Sequence, residues 1–294
     1  MVVGRGSVME KKTIRALATI IFGTVLTVSA MTGSHTESED FSRLQNAMRN
    51  LKRVDNLQMT YSYTIEQKGL STAEQVDVWA DMLTGSWVSE HYTTDEDGTR
   101  LYLRQYCDGR TVYQYIEWTG EWEAVENVSV AAGGNAVPNL DHLTVLDFDD
   151  ADIASSSNDK SEEEEKIMYT FAPKYLQEEV DRTVAEMERQ YLSYQKSDKS
   201  EEDLRMAELT VEQNKNTVYE EATVAYTINA SDVLETMESN ATLMMPELTK
   251  DETGQMILGD VLEVKISIVA DVIIYDQQGI LNKIEMCKNE VYYN

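Results

Sequence analysis

The residue types that most often carry chemistry are either rare in this sequence or badly spaced for it. Of 294 residues, only three are histidines and two are cysteines. No Gly-x-Ser-x-Gly elbow, glycine-rich phosphate loop or His-Glu-x-x-His pattern occurs. Carboxylates are so abundant, at 53 Asp and Glu, that any pair of them could be taken for a catalytic dyad. We therefore predict a non-enzymatic protein with no cofactor and no metal site.

The two cysteines, Cys107 and Cys287, are the residues whose covalent chemistry is open. Both lie in strand-like stretches, far apart along the chain. A single disulfide is compatible with export to an oxidising compartment, and two ordinary half-buried thiols are equally compatible. A zinc site is not expected, because neither cysteine has a neighbouring histidine and structural zinc takes four ligands.

The charge balance excludes whole classes of partner. With 25 Lys and Arg against 53 Asp and Glu, the formal net charge is −28. Nucleic acids and anionic membrane surfaces are polyanions, so a surface of this charge repels both unless a basic patch is set apart. The sequence contains no such patch. Hydrophobic residues still make up 42% of the chain, enough for a folded core.

The N-terminus has the pattern of a secretory signal peptide over residues 1–30. Lys11 and Lys12 precede the apolar run 16–26, and small residues occupy 28–30. The run is shorter than the ~20 apolar residues that cross a bilayer. We expect cleavage and a secreted or cell-wall-associated product outside the cytoplasmic membrane, with no transmembrane span left; an uncleaved anchor is the alternative.

Residues Val28 to Met31 resemble a bacterial lipobox, which ends in a cysteine that receives the lipid. Met31 occupies that position here. Without a thiol no lipid can be attached, so we expect the mature chain to be released rather than anchored. The polar residues 31–40 are predicted to form a flexible leader.

Hydrophobic periodicity then places the elements of the first half. Phe41 to Leu51 has helical spacing, and Leu57 to Ile65 alternates as a strand does. The turn sequences Asp95 to Gly98 and Asp108-Gly109 join neighbouring strands as tight hairpins, which makes the sheet antiparallel.

The second half is divided from the first by an acidic stretch, residues 147–166, that is too polar to fold alone and is predicted to be a mobile loop. Residues 41–294 are treated as one domain that includes this loop. The whole pattern predicts an α+β fold with a large curved antiparallel sheet and helices packed on one side. The remaining predicted elements are helices over 174–195, 204–213 and 231–239, a long strand over 262–274 and a final strand over 280–293.

These elements together resemble the lipoprotein-carrier (LolA-like) fold. The resemblance is carried by the helix Phe41 to Leu51, by Asn56 to Tyr63 entering a strand, by Asp108 to Tyr113, and by Gly279 to Ile284. More narrowly, the chain resembles exported lipoprotein-like relatives of unknown function in Gram-positive bacteria. The resemblance implies a half-barrel sheet whose concave side holds acyl chains beneath the helices.

That resemblance leads to an expected function and site. We expect a binding protein that holds a lipid or another amphiphile in an apolar cavity between sheet and helices. In the alternative, the same residues fill a solid core and the protein is an envelope interaction or sensing module that docks a basic protein. The residues expected to line the cavity are Leu57, Met59, Tyr61, Val264, Ile266, Ile268, Val272 and Met187.

Overall fold

The computed structural model describes most of the chain after residue 38. The predicted signal peptide over 1–30 and Met31 lie outside the described residues. Helix α1 starts at Glu39, so the last two residues of the predicted leader are helical. The described ranges are 39–95, 98–116, 119–125, 137–138, 140, 143, 148, 150–161, 164–196, 200–273 and 277–293.

The described elements are four helices and eleven strands, with one short 3-10 turn at Asp150–Asp152. In the first half they are α1 (Glu39–Leu51), β1 (Asn56–Gln67), β2 (Leu70–Asp81), β3 (Ser86–Asp95), β4 (Gly98–Asp108), β5 (Val112–Ile116) and β6 (Glu121–Ala124). In the second half they are β7 (Ile153–Lys160), β8 (Glu164–Phe171), α2 (Pro173–Tyr194), α3 (Glu201–Lys215), β9 (Val218–Asn229), β10 (Leu234–Lys250), β11 (Met256–Ile273) and α4 (Gln277–Tyr293).

All eleven strands form one open antiparallel sheet in the order β6-β5-β4-β3-β2-β1-β11-β10-β9-β8-β7. Two meanders, β1 to β6 and β7 to β11, are joined where β1 pairs with β11 over Gln58 to Gln67. The predicted curved α+β architecture is confirmed. From Val264 to Val272 the even-numbered residues of β11 are buried and the odd-numbered ones are half-buried or exposed, which suits a strand at the centre of the sheet.

The two faces of the sheet carry different helices. The core face, which we define by Leu57, Val78 and Ile266, holds the main hydrophobic cluster and the helices α1, α2 and α3. The outer face, defined by Trp79, Val88 and its neighbours on β4 and β5, carries only α4 among the described helices.

The C-terminal segment differs from the prediction. Residues 280–293 were expected to form a strand, but they belong to helix α4 on the outer face. Ile280, Ile284 and Cys287 are its buried side chains, and Val291 packs beside them. Spacings of four, three and four residues are those of one helix face, so the helical period was present in the sequence.

The predicted helix over 231–239 is also wrong, because β10 begins at Leu234. Leu234 and Met237 are three residues apart, a spacing that also occurs on one face of a helix. A register shift between Leu234 and Thr236 instead places both apolar side chains on the core face. A bulge of this kind adds one residue to a strand and so disguises its alternation.

The acidic stretch 147–166 is not a loop throughout. Ile153–Lys160 forms edge strand β7, which pairs with β8 from Glu165 to Phe171. Nearly every residue of β7 is exposed. The strand is held by backbone hydrogen bonds to one neighbour, which side-chain hydrophobicity does not reveal, and its polar residues suit a sheet edge.

Candidate functional site

Seven of the eight predicted lining residues lie together on the core face. All seven are in β1 or β11, are buried, and belong to the main hydrophobic cluster. Met187 is buried too, but it lies in α2 and is not among the buried residues of that cluster. The two central strands therefore do bring the predicted residues together, and the helical candidate is separate from them.

Helix α1 covers the core face at the end where Leu234 lies. Its apolar side chains are buried in the main cluster, and the helix contacts β9 and β10. The Phe41 ring meets the Phe148 ring edge-on, with centroids 6.0 Å apart. The buried side chains of α1 are Phe41, Leu44, Ala47, Met48 and Leu51.

The rim of α1 is fastened by polar contacts. Arg43 donates to Glu165 on β8, and its second terminal nitrogen lies 3.2 Å from Asp232 in the β9–β10 turn. The Asn50 amide donates to the backbone carbonyl of Asp232 over 2.8 Å. Helix α1 is therefore held on the sheet by apolar packing beneath it and by a few hydrogen bonds at its edge.

Glu165 is the buried anchor of these contacts. Burial raises the pKa of this carboxyl, but the hydrogen bond from Asn158 and the charges of Arg43 and Lys160 outweigh that effect and hold its pKa below the usual range. The side chain of Glu165 is only 3% exposed, whereas that of Asp232 is 58% exposed. The Arg43–Glu165 pair is therefore the stronger of the two contacts that Arg43 makes.

One hollow formed by described residues has no α1 residue in its lining. It has a volume of about 310 Å³ and crosses β1, β11, β10 and β9, lined mainly by outer-face side chains. Of the predicted lining residues only Ile266 borders it. The residues that line it are Thr64, Glu66, Glu221, Thr223, Asn240, Ala241, Thr242, Lys265, Ile266 and Ser267.

A much smaller space, about 20 Å³, lies between α2, α3 and the core face. Val180, Thr183, Tyr219 and Leu243 are among its lining residues. Burial and the nearby Glu179 raise the pKa of Tyr219 to about 12. The volume suits a single water molecule rather than a ligand.

The core face changes character along its strands. One cross-strand row is apolar, with Leu57 opposite Ala80 and Ala80 opposite Trp87. Three core-facing positions further along β1, the corresponding row consists of Tyr63, Glu74 and Thr93. Both Tyr63 and Tyr102 donate hydrogen bonds to the Glu74 carboxylate, the second over 2.9 Å.

Next to that row, His91 and Ser89 face the same side, with the Ser89 hydroxyl 3.1 Å from the His91 ring. Burial lowers the pKa of His91, and the charge of Glu74 partly offsets this. Sequence reasoning missed this polar end of the core face. The signal in the sequence was the alternation of the strand, because Glu74 falls on the same alternate positions as the buried Val76 and Val78.

On the outer face, α4 is joined to the sheet by charge as well as by apolar packing. Lys283 lies 2.7 Å from Glu90 and 4.7 Å from the centre of the Trp79 ring. Burial raises the pKa of Glu90, but Lys283, Tyr92 and Arg104 together lower it below the ordinary value.

The possible Cys107–Cys287 disulfide is not formed. Both thiols are free and buried. Cys107 belongs to the core-face cluster, where its sulfur accepts a hydrogen bond from the Gly109 amide over 3.3 Å, while Cys287 lies on α4 against the outer face. In this structure the sheet therefore lies between the two sulfurs.

Two general features of the described part of the chain can be stated. None of its helices combines the length and apolar character needed to cross a membrane. Within the same residues, no three His, Cys, Asp or Glu side chains are grouped so that they could hold a metal ion.

No protein-family model matches the sequence, and no curated protein matches it. Among solved structures, the chain is similar to a DUF1329 family protein from Desulfovibrio piger, with 10% identity, 83% of this chain and 95% of that chain covered, and a TM-score of 0.26. It is also similar to a chain of the Pseudomonas aeruginosa MucA/MucB complex, with 9% identity, 83% and 94% covered, and a TM-score of 0.20. At these TM-scores, the likenesses support no argument about what this chain binds and assign it to no family.

Proposed function

We propose that this chain is a non-enzymatic binding protein that acts outside the cytoplasmic membrane and takes up the apolar chain of an amphiphile on its core face. The relation to LolA-like exported proteins of Gram-positive bacteria is part of the same proposal. The observation that carries the proposal is α1, a single amphipathic helix that packs its apolar side chains on the core face and makes its polar contacts at the edge of that face.

In this proposal, α1 occupies the place of the ligand. Its five buried side chains present a continuous apolar stripe to the sheet. When α1 moves away, the core face beneath it loses its cover, and an alkyl chain can restore the lost apolar contact at a similar free energy per area. Several methionines in this region, including Met48, Met59 and Met237, are unbranched and can repack around a different shape.

A pair of single-tryptophan proteins tests the proposal. Trp87 is buried on the core face, and Trp79 is half-buried on the outer face. One protein keeps only Trp87 and its matched control keeps only Trp79, with the other tryptophans replaced by Phe. A bromine-labelled alkyl amphiphile below its micelle concentration should quench Trp87 and leave Trp79 bright, because bromine quenches only at close range. Equal quenching of both, or no quenching of Trp87, would contradict the proposal.

A second function is favoured by the outer-face hollow. Glu66 and Glu221 lie on opposite sides of the hollow, and its lysine, Lys265, is 3.3 Å from the carboxylate of Glu263. Together with the net charge of −28, this lining favours a basic protein segment as the partner.

This docking is tested by binding a lysine-rich peptide to the wild type and to a Glu66→Gln, Glu221→Gln double variant. The control carries Glu178→Gln and Glu188→Gln on α2, which changes the net charge equally. The first variant should bind several-fold more weakly than the control, and the difference should shrink as salt screens the charges. Equal binding by both variants would remove the hollow as the docking site.

A further inference from the structure

The polar end of the core face contains an unsatisfied buried group. Thr93 is 1% exposed, and its hydroxyl has no hydrogen-bond partner among the described residues. It lies directly opposite Glu74 on the neighbouring strand, where paired side chains are within about 5.5 Å of each other. A buried hydroxyl without a partner has lost its hydrogen bonds to water and has no protein hydrogen bond to replace them, which is unusual in a folded protein.

The carboxylate of Glu74 is only partly used. The Tyr63 and Tyr102 hydroxyls both donate to its Oε2, whereas Oε1 accepts no hydrogen bond from a described residue. The two phenols and the carboxylate form a short acidic row that ends at the Thr93 hydroxyl. All of these groups can accept a hydrogen bond from a ligand, and Glu74 adds a negative charge.

The position of this cluster matters as much as its composition. From Leu57 to Tyr63 the strand advances by roughly 20 Å, from a wholly apolar row to the row that contains Glu74. The Tyr61 and Tyr63 rings, 6.4 Å apart, lie at the boundary between the two regions. One face thus offers an apolar track with a hydrogen-bond acceptor at its end.

We propose that Glu74 and Thr93 form a headgroup site for an ammonium-bearing amphiphile whose alkyl chain lies along the apolar part of the core face. This inference rests on the proposed function, because it names the class of ligand that the core face takes. The ammonium donates to Oε1 of Glu74 and to the Thr93 hydroxyl, and neither contact displaces the two phenols. A carboxylate or sulfate headgroup would instead meet Glu74 with like charge.

The test compares decylammonium with decanol, which has the same chain and no charge. Each competes against the bromine-labelled amphiphile for the protein that keeps only Trp87, and recovery of Trp87 fluorescence reports displacement. The protein with wild-type Glu74 and Thr93 should bind decylammonium about tenfold more tightly than decanol, the factor in affinity that one hydrogen bond to a charged group contributes. Glu74→Gln should reduce that ratio to about the level set by the general negative charge of the protein.

Two further variants make the result specific. Glu178→Gln removes an equal charge from the exposed side of α2 and should leave the preference unchanged. Thr93→Val keeps the branched shape and the charge of Glu74, and should lower the preference by several-fold. If neither ligand displaces the labelled amphiphile, the proposed function itself fails. If both displace it equally from the wild-type site, or if Glu74→Gln keeps the full preference, the headgroup site is overturned while amphiphile uptake stands.

Discussion

Loss of the Arg43 contacts should loosen α1 by a measurable amount. In an Arg43→Ala protein, the buried carboxylate of Glu165 loses a charge-assisted hydrogen bond, a change that costs about 1.5 to 3 kcal/mol. The contact to the exposed Asp232 adds no more than about 1 kcal/mol. Lys160 and Asn158 still contact Glu165 and limit the damage. We therefore expect a total near 2 to 3 kcal/mol, or roughly a 30- to 150-fold increase in the opening equilibrium of the helix.

Amide hydrogen exchange measures that opening residue by residue. Wild-type α1 amides should exchange faster than those of β1 and β11, since the helix opens locally. They should accelerate further in Arg43→Ala by the factor above. Arg49→Ala is the matched control, because among the described residues Arg49 bonds to Asn46 and Gln45 of its own helix and to no strand. Equal exchange in the two variants would refute the idea that the Arg43 contacts hold α1 in place.

Three other predictions concern stability and covalent state. Gly109→Ala should lower the unfolding free energy by at least about 1 kcal/mol more than Gly254→Ala. Both glycines have positive φ, but of the two only Gly109 would bring a Cβ against a backbone carbonyl oxygen, that of Thr84, at 2.6 Å. Equal losses of stability in urea denaturation would contradict this prediction. The pKa of Glu90 is lowered in the folded state, so the stability that this carboxylate contributes is fully present above the unfolded-state pKa of about 4.3 and is lost as pH falls through the folded value. The difference in unfolding free energy between wild type and Glu90→Gln should therefore narrow below about pH 5. A difference that stays constant down to pH 2 would count against this prediction. Cys107 and Cys287 should both react with a thiol reagent in unreduced, denatured protein, whereas two missing thiols would indicate a disulfide.

The sequence was most informative where the period was regular. The even-numbered apolar residues of β11 and the stripe of α1 predicted both elements and the face on which Leu57, Ile266 and their neighbours lie. Prediction failed where the local pattern was ambiguous or absent. The β10 bulge gave Leu234 and Met237 a helical spacing, and β7 has almost no buried side chain to signal a strand.

Features that depend on three-dimensional pairing could not be read from the chain. Whether Cys107 and Cys287 meet depends on which face of the sheet each occupies, and that followed from the helical rather than extended state of the last segment. The polar row of Tyr63, Glu74 and Thr93 likewise exists only through the register of three strands. The phase of Glu74 relative to Val76 was a usable signal, but it did not identify the residues opposite it.

The most direct test of the central claim is amide exchange in α1 with and without a bound alkyl amphiphile, using native mass spectrometry to establish that the ligand is bound. If the alkyl chain takes the place of α1 on the core face, saturation should remove the exchange protection of residues 39–51 and leave that of β11 intact. Bound amphiphile with unchanged or increased protection of α1 would contradict the account.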